Sequence, residues 1–253
     1  MTPGRDLWMA IGFLTRIPVG DPTGGDPAAV SVARSVPWFP IVGAVIGAAV
    51  GAVWLGLFEV VSPIVAAAVS VAVALLVTGA FHHDGLADIA DAFGGGWTVE
   101  QRFEILRDSR LGTYGTSALV MALLIEVTAL ASLPGDAGFW ALIAAHSLGR
   151  TMALLAMLLA PTAGDGMGAS YTADLGTPSV VFGAGVGLLC AGSALAMVGS
   201  WATIVLPAIA AALAAVAVVV LAQRKIRGIT GDVLGAVTVL SSLATLVVVG
   251  ATI

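Results

Sequence analysis

The sequence predicts an all-α protein: a polytopic transmembrane helical bundle of about seven spans. Three observations carry that prediction. Of 253 residues, 59% are hydrophobic and only 10% are charged, where a soluble domain carries about 25% charged residues. Mean hydropathy is +1.06. The apolar residues are gathered into runs close to the ~20 residues a helix needs to cross a bilayer. No soluble domain is visible, nor a linker long enough to join one, so residues 1–253 read as a single integral membrane domain.

The runs occupy 38–58, 60–81, 116–133, 139–160, 179–199, 202–222 and 233–253. Ahead of the first, Leu7, Trp8, Ile11 and Leu14 predict a short helix lying in the membrane interface. Arg16 and Pro18 follow it without a small-residue cleavage site, unlike a signal peptide. The first run holds Gly43, Gly47 and Gly51 at a spacing of four, which lets helix backbones approach closely, within the bundle or between subunits. Glu59 and Ser62-Pro63 mark the turn into the second. The lone cysteine, Cys190, lies inside an apolar run, so no intrachain disulfide can form.

Basic residues set the orientation. With the N-terminus inside, Arg5, Arg16, Arg34, Arg102, Arg107, Arg110, Arg224, Lys225 and Arg227 all face the cytoplasm, while the turns near 59, 134–138 and 200 carry no Lys or Arg. The expected location is therefore a cell (inner) membrane, with N-terminus and active site cytoplasmic. Net charge is -5, and no basic run of the kind that binds nucleic acid occurs.

Against this apolar background "FHHDGLADIADAFGGG", residues 81–96, stands out. Asp84, Asp88 and Asp91 fall within roughly a 60° arc of a helix. Carboxylates gathered beside a membrane repel one another and are costly to desolvate. A solvated polar face would accommodate them, and so would a hard cation such as Mg²⁺, which in turn binds phosphate oxygens. The aspartates are expected on a cytoplasmic helical loop.

"TVEQRFEILRDSRLGTYG" follows. Thr98 and Gln101 have capping-box spacing, so a further helix is expected to start there. Arg107 and Arg110, three apart, are expected on one helical face, either neutralising the carboxylates or clamping phosphate oxygens. Asp108 sits between them. A third patch, "QRKIRGITGDVLGA", combines Gly228 and Gly231, which permit close backbone approach to an anion, with Thr230 and Asp232, which equally read as a helix cap. The loop 161–178 is Gly-rich and acidic, a lid or a plain connector. Within the spans, Glu126 and Arg150 are each costly in lipid and are expected to pair. His146 reads as a buried hydrogen-bonding histidine.

"FLTRIPV", "FPIVGAVIG", "FHHDGLADIADAF", "RDSRLGTYG" and "GITGDVLGA" together resemble the cobalamin synthase family, the adenosylcobinamide-GDP ribazoletransferases. The resemblance runs in order from the N-terminal segment to the last run. It implies a Mg²⁺-dependent transferase of vitamin B12 (cobalamin) biosynthesis. Such an enzyme joins adenosylcobinamide-GDP to α-ribazole, or its 5′-phosphate, giving adenosylcobalamin or its 5′-phosphate and releasing GMP. It implies catalytic roles for His82, Asp84, Asp88 and Asp91, with Asp91 favoured as proton acceptor because it lies a full turn from Asp88. It implies metal ligation by Asp84, Asp88, Asp91 and Asp108, and substrate binding by Arg107, Arg110, Thr230, Gly231 and Asp232. Membrane lipid, a homo-oligomer and other late cobalamin-pathway enzymes are the further partners expected. Two other readings use the same features. One is a CDP-alcohol phosphotransferase, whose "DG-x-x-AR" pattern is interrupted here because Leu86, Ala87 and Asp88 follow Gly85. The other is a small-solute transporter built around Glu126 and Arg150.

Overall fold

The computed structural model describes residues 3–20, 32–163 and 175–253. Among these, every regular element is a helix: α1 (Pro3–Leu14), α2 (Val32–Ser35), α3 (Phe39–Phe58), α4 (Pro63–Thr78), α5 (Phe81–Gly95), α6 (Val99–Leu106), α7 (Thr113–Ala131), α8 (Gly135–Leu159), α9 (Thr177–Ala196), α10 (Trp201–Ile226) and α11 (Gly231–Thr252). Six helical stretches are long and apolar enough to cross a membrane: Ala33–Phe58, which ends in α3, and α7 to α11. The all-α bundle expected from hydropathy is the observed architecture.

The second apolar run differs from its sequence reading. It is not one straight span: α4 stops at Thr78 and the chain turns by 91° into α5. Gly79 and Ala80 both adopt left-handed conformations, with φ of 63° and 56°. The Ala80 N–H donates to the Leu75 carbonyl at 2.9 Å, closing the end of α4. Hydropathy averages smoothly across residues 60–81 and does not register a backbone inversion. Gly79 is also where Arg16 crosses: a Cβ there would collide with the Arg16 guanidinium. Gly79→Ala is therefore expected to cost about 1–2 kcal/mol from the left-handed backbone alone. Thermal unfolding in detergent should show a lowered midpoint; an unchanged one would mean that Gly79 does not set the bend.

At the centre stand α8 and α11, with 72% and 67% of their most apolar windows buried against 22–39% in the other four. The outer helices turn large apolar side chains such as Val45, Leu124 and Leu189 outward, as a surface facing lipid does. The glycine row of α3 packs on α8 within the same chain. A Cβ on Gly43 would lie 2.7 Å from Arg150 Cδ, one on Gly47 2.7 Å from Ile143 Cα, and one on Gly51 2.7 Å from Phe139 Cδ2. With no hydrophobic driving force between helices in lipid, such backbone proximity supplies the attraction through dispersion.

One end of the bundle gathers the polar segments. The capping box forms as expected, Gln101 N donating to Thr98 Oγ1 at 3.2 Å and Thr98 N to Gln101 Oε1 at 3.3 Å. Arg102 Nη1 donates to the Lys225 carbonyl at 2.8 Å, and Lys225 Nζ to the Phe93 carbonyl at 3.2 Å, so the end of α10 is tied to α5 and α6. Ile229 N donates to the Pro161 carbonyl and Ala163 N to the Ile229 carbonyl, both at 2.9 Å. Gly228 makes that pairing possible, since a Cβ there would sit 2.6 Å from the Pro161 oxygen; its role is backbone packing rather than anion approach. Helix α1 docks beside this end with Ala10 and Leu14 buried, Trp8 exposed and Phe13 stacked on Phe39 at 5.3 Å. Most of the expected lid, residues 164–174, lies outside the described residues.

Candidate active site

The aspartate helix is not a free loop: α5 packs along the N-terminal part of α11. A Cβ on Gly85 would lie 2.9 Å from both Cα and O of Asp232, and one on Gly235 would lie 3.1 Å from the His82 carbonyl. The absence of side chains at these two points lets the helices cross at backbone contact. That crossing joins the "HHDG" and "TGDVLG" segments. The signal in the sequence was Gly85 and Gly235 themselves, each one turn from an acid or a histidine.

The crossing floors a cleft of about 110 Å³ lined by His82, Asp84, Gly231, Asp232 and Arg150, with Phe13, Phe39 and Phe81 on its apolar wall. Thr230 caps α11, accepting from Val233 N at 3.4 Å, and donates to Asp232 Oδ2 at 3.3 Å. A Cβ on Gly231 would meet nothing within 4 Å, so the backbone there is open to the cleft.

Asp88 lies on the same face of α5, a helix that turns away from the spanning direction. Its carboxyl is pushed up to about 6, first by burial, then by the neighbouring carboxylates of Asp84, Asp232 and Asp91. Like charges that mutually raise their affinity for protons will also favour a cation.

Asp91, the expected proton acceptor, is held by backbone amides at both oxygens. Its two oxygens accept from Gly112 N at 2.7 Å and Gly115 N at 2.9 Å, latching the first turn of α7 to α5. A carboxylate there complements the positive end of a helix. Both glycines are needed, because a Cβ on either would collide with the Asp91 carboxylate. Asp108 is likewise engaged, accepting from Arg110 Nε at 3.0 Å and Nη2 at 2.6 Å. Those hydrogen bonds hold the Asp108 carboxyl below the usual range. Arg107 and Arg110 do not share a helical face. Helix α6 ends at Leu106 with Arg107 as its cap, and Asp108 Oδ1 accepts from Arg110 N at 3.1 Å, the local bond by which aspartate competes with helix. Both arginines are exposed on the segment between α6 and α7.

The expected Glu126–Arg150 ion pair is not formed. Glu126 Oε2 lies 3.5 Å from His83 Nε2, and Arg150 Nη1 contacts His146 Nδ1 at 3.0 Å and donates to the His146 carbonyl at 3.2 Å. His146 is the buried hydrogen-bonding residue that the sequence suggested. All three histidines, Glu126 and Arg150 line one small chamber beside the cleft. Sequence reasoning missed Arg150 as a neighbour of the aspartates, because its span is remote from theirs in the chain.

Among the described residues, no group of three or more His, Cys, Asp or Glu side chains converges as a closed metal cage. Mg²⁺ does not require one. It is usually held by one or two carboxylates, with waters and substrate phosphates completing its shell. Asp84 and Asp232, facing one cleft with Asp88 beside them, fit that open kind of site. Asp91 and Asp108 are engaged elsewhere.

The sequence comparisons bear on the family. The family model described as cobalamin-5-phosphate synthase matches residues 6–250. A protein from Ralstonia nicotianae named adenosylcobinamide-GDP ribazoletransferase is 47% identical over 61% of this chain and 60% of its own length. The matches to it and to its Ralstonia pickettii counterpart thus span about 60% of those relatives. Relatives of the same name match more fully. The one from Azorhizobium caulinodans is 40% identical over 94% of this chain and 92% of its own length. The one from Sinorhizobium medicae is 39% identical over 97% of each. No solved structure matches the chain significantly. A match that runs from α1 through nearly all of α11, and so takes in both helices that meet at Gly85, places this chain in the cobalamin-5-phosphate synthase family.

Proposed function

We propose that the protein is a Mg²⁺-dependent adenosylcobinamide-GDP ribazoletransferase. It would join adenosylcobinamide-GDP to α-ribazole or its 5′-phosphate at the α5–α11 cleft, with release of GMP. The observation that carries the reading is the crossing at Gly85, which sets Asp84 and Asp232 around one cleft in a chain of this family. A ribose hydroxyl of the ribazole attacks the phosphorus next to the cobinamide, the bond to GMP breaks, and the hydroxyl proton must be taken up.

His82 lines the cleft beside Asp84 and is the residue we assign to take that proton, since both Asp91 oxygens are occupied. Asp84 and Asp232, with Asp88, would hold Mg²⁺, which when bound polarises phosphoryl oxygens and offsets charge on the leaving group. Thr230 and Gly231 offer the open N-terminal turn of α11 to phosphate. Arg107 and Arg110 stand exposed on the segment that Asp91 latches, and can exchange solvent or Asp108 for substrate oxygens. The clean Lys/Arg bias supports a cytoplasmic face of the inner membrane for this end, which suits nucleotide substrates.

Purified protein in detergent, given adenosylcobinamide-GDP, α-ribazole 5′-phosphate and Mg²⁺, should release GMP with a matching cobalamin product and stop on addition of EDTA. Release of CMP from a CDP-alcohol, or solute uptake in proteoliposomes without turnover, would replace this reading. Mg²⁺ binding itself should be pH-dependent. Asp88 takes a proton as pH falls through about 6, so calorimetric affinity for Mg²⁺ should be lower at pH 5.5 than at pH 7.5. Equal affinity at the two would remove Asp88 from the metal site.

A further inference from the structure

We propose that Arg150 is a phosphate-binding residue of the cleft, a guanidinium presented from the core of the bundle to an anionic phosphoryl group. The identity of that group as part of a nucleotide-linked substrate rests on the function proposed above; the anion site itself does not.

Arg150 is 4% exposed on α8, the most buried helix. A charge so placed is costly unless it is paired, yet no carboxylate lies within ion-pairing distance among the described residues: Glu126 is matched instead with His83. One nitrogen, Nη1, is satisfied by His146, through the ring and the backbone carbonyl. The buried Nε has no partner. The glycine row of α3 clears the way for the side chain, since a Cβ on Gly43 would lie 2.7 Å from Arg150 Cδ. Arg150 is among the residues that line the cleft with Asp84 and Asp232, and its guanidinium, held by His146, bonds to neither carboxylate.

An arginine meant only to neutralise those acids would lie against them. Held apart by His146, it keeps donors free for two oxygens of a phosphoryl group. The charges also bear on this: with Asp84, Asp88 and Asp232 ionised, three carboxylates and one guanidinium sum to minus two, which a divalent cation offsets, and without Arg150 the phosphate would face a site one charge more negative. A buried guanidinium acts in a lower dielectric than exposed Arg107 or Arg110, so its attraction for developing phosphoryl charge is larger. Behind it, in the small chamber, His83 Nε2 and Glu126 Oε2 stand 3.5 Å apart with no hydrogen bond to either, a polar setting that ordered water can serve.

The test uses full-length protein in detergent with Mg²⁺ and inorganic pyrophosphate as the probe, followed by calorimetry. Wild-type protein should bind it. Arg150→Gln should weaken binding at least tenfold, and Arg150→Lys, which keeps the charge but not the fork, by an intermediate amount. Arg224→Gln, exposed in the last turn of α10, should bind as the wild type does. Thermal unfolding reports whether each variant is folded. Should Arg150→Gln fail to fold, Ala153→Leu supplies the second arm. Ala153 lines the same cleft, and the larger side chain should block the anion while leaving Arg150 intact. Wild-type affinity in a folded Arg150→Gln or Ala153→Leu variant overturns the assignment, as does wild-type protein that binds no pyrophosphate. The two readings fail separately. Loss of pyrophosphate binding in Arg150→Gln, in a protein that releases no GMP, supports the anion site and removes the reaction. GMP release by Arg150→Gln at the wild-type KM for adenosylcobinamide-GDP removes Arg150 alone.

Discussion

Asp84→Asn should lower turnover by at least a thousandfold, about 4 kcal/mol at 1.36 kcal/mol per tenfold, while leaving the protein folded. The side chain is exposed at the cleft, so an amide of nearly the same shape disturbs little packing. What it removes is charge. With one carboxylate fewer, the cleft holds a divalent cation less tightly and stabilises the phosphoryl transition state less. The same change relieves Asp88, whose carboxyl is raised by Asp84 more than by any other charged neighbour, so Asp88 should ionise at a lower pH in the variant. GMP release under single-turnover conditions measures the loss, and the thermal midpoint in detergent confirms the fold. Wild-type activity in Asp84→Asn would take Asp84 out of the site.

Gly85→Ala should be nearly as damaging by an unrelated route. The added methyl would lie 2.9 Å from both Cα and O of Asp232. These are backbone atoms, which cannot swing aside as a side-chain tip can, so α5 and α11 must separate. Overpacking of this kind costs about 1–3 kcal/mol of stability. Shifting catalytic groups by about 1 Å can cost on the order of a hundredfold in rate. The matched control is Gly56→Ala in α3, where a Cβ meets nothing within 4 Å and helix propensity improves by up to about 1 kcal/mol. Full activity in Gly85→Ala would show that the crossing does not need backbone contact there.

What could be read in the sequence was local. The apolar runs other than the second, the glycine row of α3 and the Thr98–Gln101 capping box each depend on residues within a few turns, and each stands where expected. The bend between α4 and α5 escaped because Gly79 and Ala80 are apolar by composition, and their message lies in backbone sign alone. The three aspartates of α5 look equivalent by spacing. They diverge only through their neighbours: Asp84 and Asp88 face Asp232, whereas Asp91 faces the amides of Gly112 and Gly115, supplied by a separate helix. Arg107 and Arg110 carried the right charge for phosphate but were assigned a helix that Asp108 ends. Arg150 sits one helix away from the motif in space and well beyond it in sequence, so no spacing rule links them.

The short α4 has a consequence for where chemistry meets lipid. Its 16 residues rise about 24 Å at 1.5 Å each, roughly 6 Å less than the ~30 Å hydrocarbon thickness of a typical bilayer. With α4 crossing the bilayer, the helix that turns off its end would be set below the rim of the apolar slab, not on top of it. The bilayer must thin beside α4, or its edge must admit the apolar flank of α5. On the function proposed above, the cleft would then open near the lipid boundary rather than well out in water. The substrate proposed above joins a bulky ring system to a charged nucleotide, and such a cleft would let the two parts meet the membrane surface and water separately.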